Sequence, residues 1–155
     1  MSRGAGLAPM VVLAAAAGVS LCSCNSYQGN TIGAQVRSWA ATVQIVDQLQ
    51  TVRADSTQVT AAESDHDAAA VRTECNVLSQ DTLGAHQLLP SPDPSLTAGL
   101  DQALSLEESA AGHCYESAGG GALLAQADGE RARAAIALGA ALEQLATFGV
   151  PTGSS

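Results

Sequence analysis

The stretch between Cys75 and Cys114 constrains this chain most, because two helix-length segments meet there at Leu89-Pro90-Ser91-Pro92-Asp93-Pro94-Ser95. A proline inside a helix removes a backbone donor and clashes with the preceding turn. The chain must therefore leave one helix before Pro90 and enter another near Pro94. Asp93 suits the N-cap and Pro94 the first helical position, where the missing N–H would have no helical partner anyway. On the first arm Val71, Cys75, Leu78, Thr82, Ala85 and Leu89 share a face, and on the second Leu96, Leu100, Ala103, Leu106, Ala110 and Cys114 do. At 1.5 Å per residue the arms from turn to cysteine measure about 21 Å and about 30 Å. A connection that extends about 16 Å covers that difference together with a helix spacing of about 8–10 Å. The cysteines can lie level, and in an exported protein that predicts an interhelix disulfide between Cys75 and Cys114, with two buried free thiols as the alternative.

Helical periodicity governs the rest. Ile32, Val36, Trp39, Val43, Val46, Leu49 and Val52 recur at steps of three and four, which predicts a first helix with Trp39 as a core anchor. The polar run 55–60 reads as the first interhelix connection. Two capping boxes follow, Thr60-Ala61-Ala62-Glu63 and Ser64-Asp65-His66-Asp67, and either can open the second helix. Gly119-Gly120-Gly121 ends the third helix, since consecutive glycines make continuation costly. A fourth occupies part of 122–148, with Ala132, Ala135, Leu138, Leu142 and Leu145 on one stripe and Gly129 interrupting its start. Residues 149–155 read as a disordered tail. No run of strand-like alternation competes. The expected fold is all-α: an antiparallel four-helix bundle domain over 31–148 with one interhelix disulfide, preceded by a signal peptide. The 46% hydrophobic fraction is largely alanine, leucine and valine, and the only aromatics are Tyr27, Trp39, Tyr115 and Phe148. Alanine favours helix but buries little area, so a covalent staple matters more here than in an aromatic core.

At the front, Arg3 precedes an apolar run over 7–21, broken only by Pro9, Gly18 and Ser20. It is shorter than the roughly 20 residues a spanning helix needs and reads as a bacterial export signal. Leu21-Cys22-Ser23-Cys24 resembles the bacterial lipobox, with a leucine three positions before the acceptor cysteine and a small residue immediately before it; Cys22 departs from the usual residue. That resemblance implies a lipoprotein signal peptide over 1–23 and a diacylglyceryl thioether on Cys24 with a further acyl chain such as palmitate, which is enough for stable anchoring. The tether 24–30 would then hold the domain within about 20 Å of the extracytoplasmic face of the cell membrane. Cleavage after Ala15-Ala16-Ala17 is the alternative, and it would leave Cys22 and Cys24 in the mature chain.

The charge balance, 15 acidic against 6 basic residues with every basic one an arginine, disfavours nucleic acid as a partner. Without lysine there is no P-loop lysine, Schiff-base lysine or lysine general base. His113 beside Cys114 invites a thiol-protease reading, but helix neighbours point about 100° apart and a disulfide removes the nucleophile. Glu63, Asp65, His66 and Asp67 form the densest acidic cluster, which reads as a solvated helix start rather than a metal site. His86 is expected to face solvent, and the glycine triplet lacks the residues of a phosphate loop. No catalytic residue, metal ligand or cofactor site is assigned, and the chain is not expected to be an enzyme.

The segments Val71-Arg72-Thr73-Glu74-Cys75-Asn76-Val77-Leu78, Leu89-Pro90-Ser91-Pro92-Asp93 and Ala110-Ala111-Gly112-His113-Cys114 resemble small exported lipoproteins of actinobacteria. These combine a lipobox, a tryptophan in the first helix, paired cysteines about a proline-rich turn and an alanine-rich last helix. The resemblance implies a helical envelope protein and brings no activity with it. Cys24, Cys75 and Cys114 are the only positions it carries over. The expected role is a membrane-anchored, non-catalytic binding or structural module with an envelope protein as partner. The alternative is a bundle that binds a small molecule or lipid.

Overall fold

In the computed structural model, which describes residues 31–117 and 120–153, the chain is helical and no strand occurs among the described residues. The expected signal peptide, Cys24 and the tether lie outside them. Five helices follow in order: α1 (Ile32–Val43), α2 (Ile45–Ser64), α3 (Ala68–His86), α4 (Pro94–Ser117) and α5 (Ala122–Thr147).

The first expected helix is two, because Gln44 adopts a left-handed conformation with φ 54°. The buried residues explain the break. Val36, Ala40, Ile45, Leu49 and Val52 step by four, five, four and three, so one residue is skipped at Gln44 and the apolar stripe returns to the core. Trp39 is half-buried against the core, as its place in the stripe predicts, and its indole N–H donates to the Leu88 carbonyl at 3.2 Å. Arg37 Nη1 donates to the Phe148 carbonyl at 2.8 Å, so α1 is fastened both to the end of α3 and to the end of α5.

The connection expected over 55–60 is absent; α2 runs through it to Ser64. Val52, Val59 and Ala62 keep a buried stripe going. The hydroxyls of Thr57, Thr60 and Ser64 donate to the carbonyls of Arg53, Ser56 and Thr60, one turn back, which lets polar residues sit inside a helix. The turn lies at 65–67 instead, with His66 in the left-handed region at φ 56°. Asp67 caps α3, its Oδ1 accepting from the N–H groups of Ala69 and Ala70 at 3.0 and 3.1 Å. Asp67→Ala is expected to lower the unfolding free energy by about 1 kcal/mol, measured by urea denaturation. A loss below about 0.3 kcal/mol would mean that water replaces the cap.

The proline-rich turn starts α4 as the sequence predicts: Asp93 Oδ1 accepts from Leu96 N–H at 2.7 Å and Pro94 occupies the first helical position. Gln144 of α5 donates to Asp93 Oδ1 and to Ser95 Oγ, tying the last helix to this turn. At the far end Gly121, with φ 83°, precedes α5 where the glycine run predicts a break. The packed part of the chain continues past 148. Gly149, at φ 79°, allows Val150 N–H to return to the Leu145 carbonyl, and Val150 is buried.

The core is aliphatic, led by Ile45, Leu49, Leu78, Leu96, Leu100, Leu104, Leu138 and Leu145. α4 packs against α5 and α3, and α3 against α2, whereas α2 meets α5 only sparsely. That loose seam positions the site.

Candidate functional site

Between α2 and α5 lies an open cleft of about 770 Å3, with Glu107 of α4 also in its lining. The α2 wall carries Arg53, Ser56, Thr57, Thr60 and Glu63, and the α5 wall Asp128, Arg131, Ala132 and Ala135. Arg131 is buried, and its Nη2 donates to Glu63 Oε2 at 2.6 Å and to Asp128 Oδ1. Glu107 is 1% exposed. Burial pushes its carboxyl up to about 7, while the Arg131 charge and a hydrogen bond from Ser56 pull it back. Two atoms of this pair, Glu107 Oε2 and Arg131 Nη1, are buried without a hydrogen-bond partner. Buried polar atoms of folded proteins are nearly always paired, so two orphans on the lining of one cleft stand out.

The sequence reading missed both residues. On α4 the buried positions are Leu96, Leu100, Ala103, Leu104, Glu107, Ala110, Ala111 and Cys114, so Glu107 stands inside the apolar stripe. On α5 they include Ala127, Glu130, Arg131, Ala134, Leu138, Ala141 and Leu145. Ala132 and Ala135, expected in that stripe, are exposed. Stepping only between apolar residues slid the early part of α5 by one position; a charged residue at helical spacing within a stripe was the available signal.

Cys75 and Cys114 are brought together. Both are fully buried, their Cα atoms are 6.0 Å apart and their sulfurs are at bonding distance. Glu63 Oε1 lies 3.9 Å from the Cys114 sulfur, so the cleft's polar end sits against this pair. His113 points elsewhere, its Nδ1 lying 2.9 Å from Glu130 Oε2, with Gln126 bonded to Glu130 Oε1. Burial alone would raise the Glu130 carboxyl, but hydrogen bonds from Gln126, His113 and Ser109 hold it below its ordinary value.

The acidic cluster disperses: Glu63 turns to Arg131, Asp67 caps α3, and Asp65 and His66 are exposed. Among the described residues no three His, Cys, Asp or Glu side chains converge on a common point. His86 corrects the expectation of a solvent-facing side chain. It is 20% exposed and lies within ion-pair reach of Asp101 and Glu108 of α4 at 3.5 and 3.7 Å, because its helix edge is covered by α4. A carboxyl pair joins α2 to α3: burial, a hydrogen bond to Asp81 and the charges of Asp81 and Glu74 push Asp55 up to about 6. No family model matches the chain, and neither the curated proteins nor the solved structures yielded a match.

Proposed function

We propose that this chain is an exported lipoprotein, akin to the small two-cysteine lipoproteins of actinobacteria. On this reading residues 1–23 are removed as a signal peptide and Cys24 carries the lipid that anchors the protein to the extracytoplasmic face of the cell membrane. Helices α2–α5 then form an antiparallel four-helix bundle that serves as a non-catalytic binding module for an envelope partner. The observation that carries this reading is the Cys75–Cys114 pair. Two fully buried sulfurs at bonding distance, on helices separated by a proline turn, suit a compartment where disulfides persist. No helix among the described residues is long and apolar enough to cross a membrane. Growth with a fatty-acid analogue is expected to label the protein, and Cys24→Ala to abolish the label. Labelling that survives the substitution sinks the anchoring claim.

The cleft between α2 and α5 favours a second reading, a helical bundle that binds a small molecule. Its volume falls within the range of ligand pockets.

A further inference from the structure

We propose that the α2–α5 cleft binds a small organic amine, with an N–H of the ammonium group donated to Glu107 and neighbouring α2 hydroxyls accepting further N–H bonds. The proposal deepens the small-molecule reading and rests on it.

Thr57, Thr60 and Ser64 have committed their protons to backbone carbonyls one turn back, so what they offer to the cleft is lone pairs. Ser56 donates to Glu107. The hydroxyls of the α2 wall thus form a row of acceptors, and its charged donor is Arg53, which is exposed. Charge points the same way. The lining holds three carboxyl groups, Glu63, Glu107 and Asp128, against two guanidiniums, Arg53 and Arg131, an excess of one negative charge when all are ionised. Both Glu63 and Asp128 bond to Arg131, so at the buried end two carboxylates already outweigh its one guanidinium charge.

Glu107 Oε2 is buried and has no partner, on a residue only 1% exposed that lines the cleft. A bare carboxylate oxygen in such a place is costly. An ammonium N–H satisfies it and supplies the missing positive charge. Arg131 Nη1, also unpartnered, sets a further condition: the ligand should carry an acceptor, such as a hydroxyl, beside its ammonium. The exposed side of the cleft, at Ala132 and Ala135, is lined by small side chains and accommodates a short carbon chain.

Calorimetric titration and amide chemical-shift mapping of the purified protein test this with four probes: ethanolamine, tetramethylammonium, glucose and inorganic phosphate. Ethanolamine is expected to saturate, with shifts centred on Ser56, Glu107 and Arg131. Tetramethylammonium has the charge but no N–H, so it is expected to bind at least roughly tenfold more weakly or not at all, since hydrogen bonds to charged groups contribute about 1.5–3 kcal/mol. Glu107→Gln is expected to weaken ethanolamine by a similar factor, with circular dichroism confirming that the variant is folded. Ala132→Trp, which fills the cleft from its exposed wall and removes no buried group, provides a second variant and is expected to abolish binding. Affinity is expected to rise from about pH 6 to about pH 8 as Glu107 ionises; the other ionisable groups around it are Arg53 and Glu63 of α2 and Asp128 and Arg131 of α5. Ethanolamine and tetramethylammonium binding alike, or ethanolamine binding unchanged in both variants, overturns the proposal, since that is attraction to an acidic surface. Glucose or phosphate binding in the cleft where ethanolamine does not overturns the ligand class and leaves the small-molecule reading standing. No binding of any probe overturns the amine assignment. Native mass spectrometry of the freshly purified protein without a bound ligand then tells against the broader reading as well.

Discussion

Replacing Cys75 and Cys114 together by alanine is expected to lower the unfolding free energy by about 4 kcal/mol. The two residues are 39 apart in sequence. In the chain-entropy treatment, a bridge across a loop of that length removes about 4 kcal/mol of freedom from the unfolded ensemble. A single domain has only about 5–15 kcal/mol in total, so the double variant falls close to the limit of folding. The aliphatic core makes the dependence acute. Ala40, Ala62, Ala85, Ala103, Ala110, Ala111, Ala127, Ala134 and Ala141 occupy buried positions where larger side chains would remove more apolar area from water. Urea denaturation with and without a thiol reductant provides the check. Reductant is expected to bring the wild-type midpoint down to that of the double variant and to leave the variant unmoved. Identical wild-type curves in both conditions would mean that no bridge contributes to stability.

Much of the fold was legible in the sequence wherever a local rule had no competitor. Asp93 and Pro94 start α4 because two independent preferences, side-chain capping and a tolerated first-turn proline, fall on adjacent residues. The arm lengths on either side of that turn brought Cys75 level with Cys114. Gly121 and Trp39 likewise do what their side chains, or lack of one, dictate. What escaped was set by tertiary contact. The break at Gln44 corrects the phase of a stripe that is unbroken as a pattern of spacings, and only the position of the core shows that one residue must be skipped. The polar run 55–60 stays helical because its hydroxyls bond within the helix and its far face is solvated, so polarity alone was a poor sign of a turn.

The site escaped for a related reason. Glu107, Glu130 and Arg131 occupy positions in helical stripes that hydrophobicity assigns to other residues. Charged side chains are rarely buried unless paired. Reading Arg131 as a core residue would therefore have required knowing that Glu63, 68 positions away, arrives opposite it. His86 was misjudged by the same route, since the acids that flank it come from α4 and not from its own helix.

Arg131→Leu is expected to cost about 3–5 kcal/mol at pH 8, and markedly less at pH 5. Removing one member of a buried charge network leaves the others without compensation, which is the costly case. Arg131 bonds to Glu63 and Asp128, and its charge also lowers the Glu107 carboxyl. Without it Glu107 is a buried carboxylate that has lost its neighbouring positive charge. At pH 5 the cost shrinks because Glu107 takes up a proton. The wild type carries the same linkage in milder form. Glu107 rises from 4.5 to about 7 on folding, and a raised carboxyl contributes stability that is complete below pH 4.5 and lost as pH rises through about 7. Asp55, raised from 3.8 to about 6, acts in the same direction. Glu130, held below 4.5, acts oppositely, its contribution present above that pH and lost on further acidification. Wild-type stability is therefore expected to decline between about pH 5 and pH 8, and Arg131→Leu to steepen that decline. In the double variant Arg131→Leu with Glu107→Leu, the removal of both charges is expected to recover part of the loss at pH 8, a coupling that a double-mutant cycle reads directly. Equal costs for Arg131→Leu at pH 5 and pH 8, with no coupling to Glu107, would show that Arg131 acts through the packing of its stem and not through the charges gathered at the floor of the cleft.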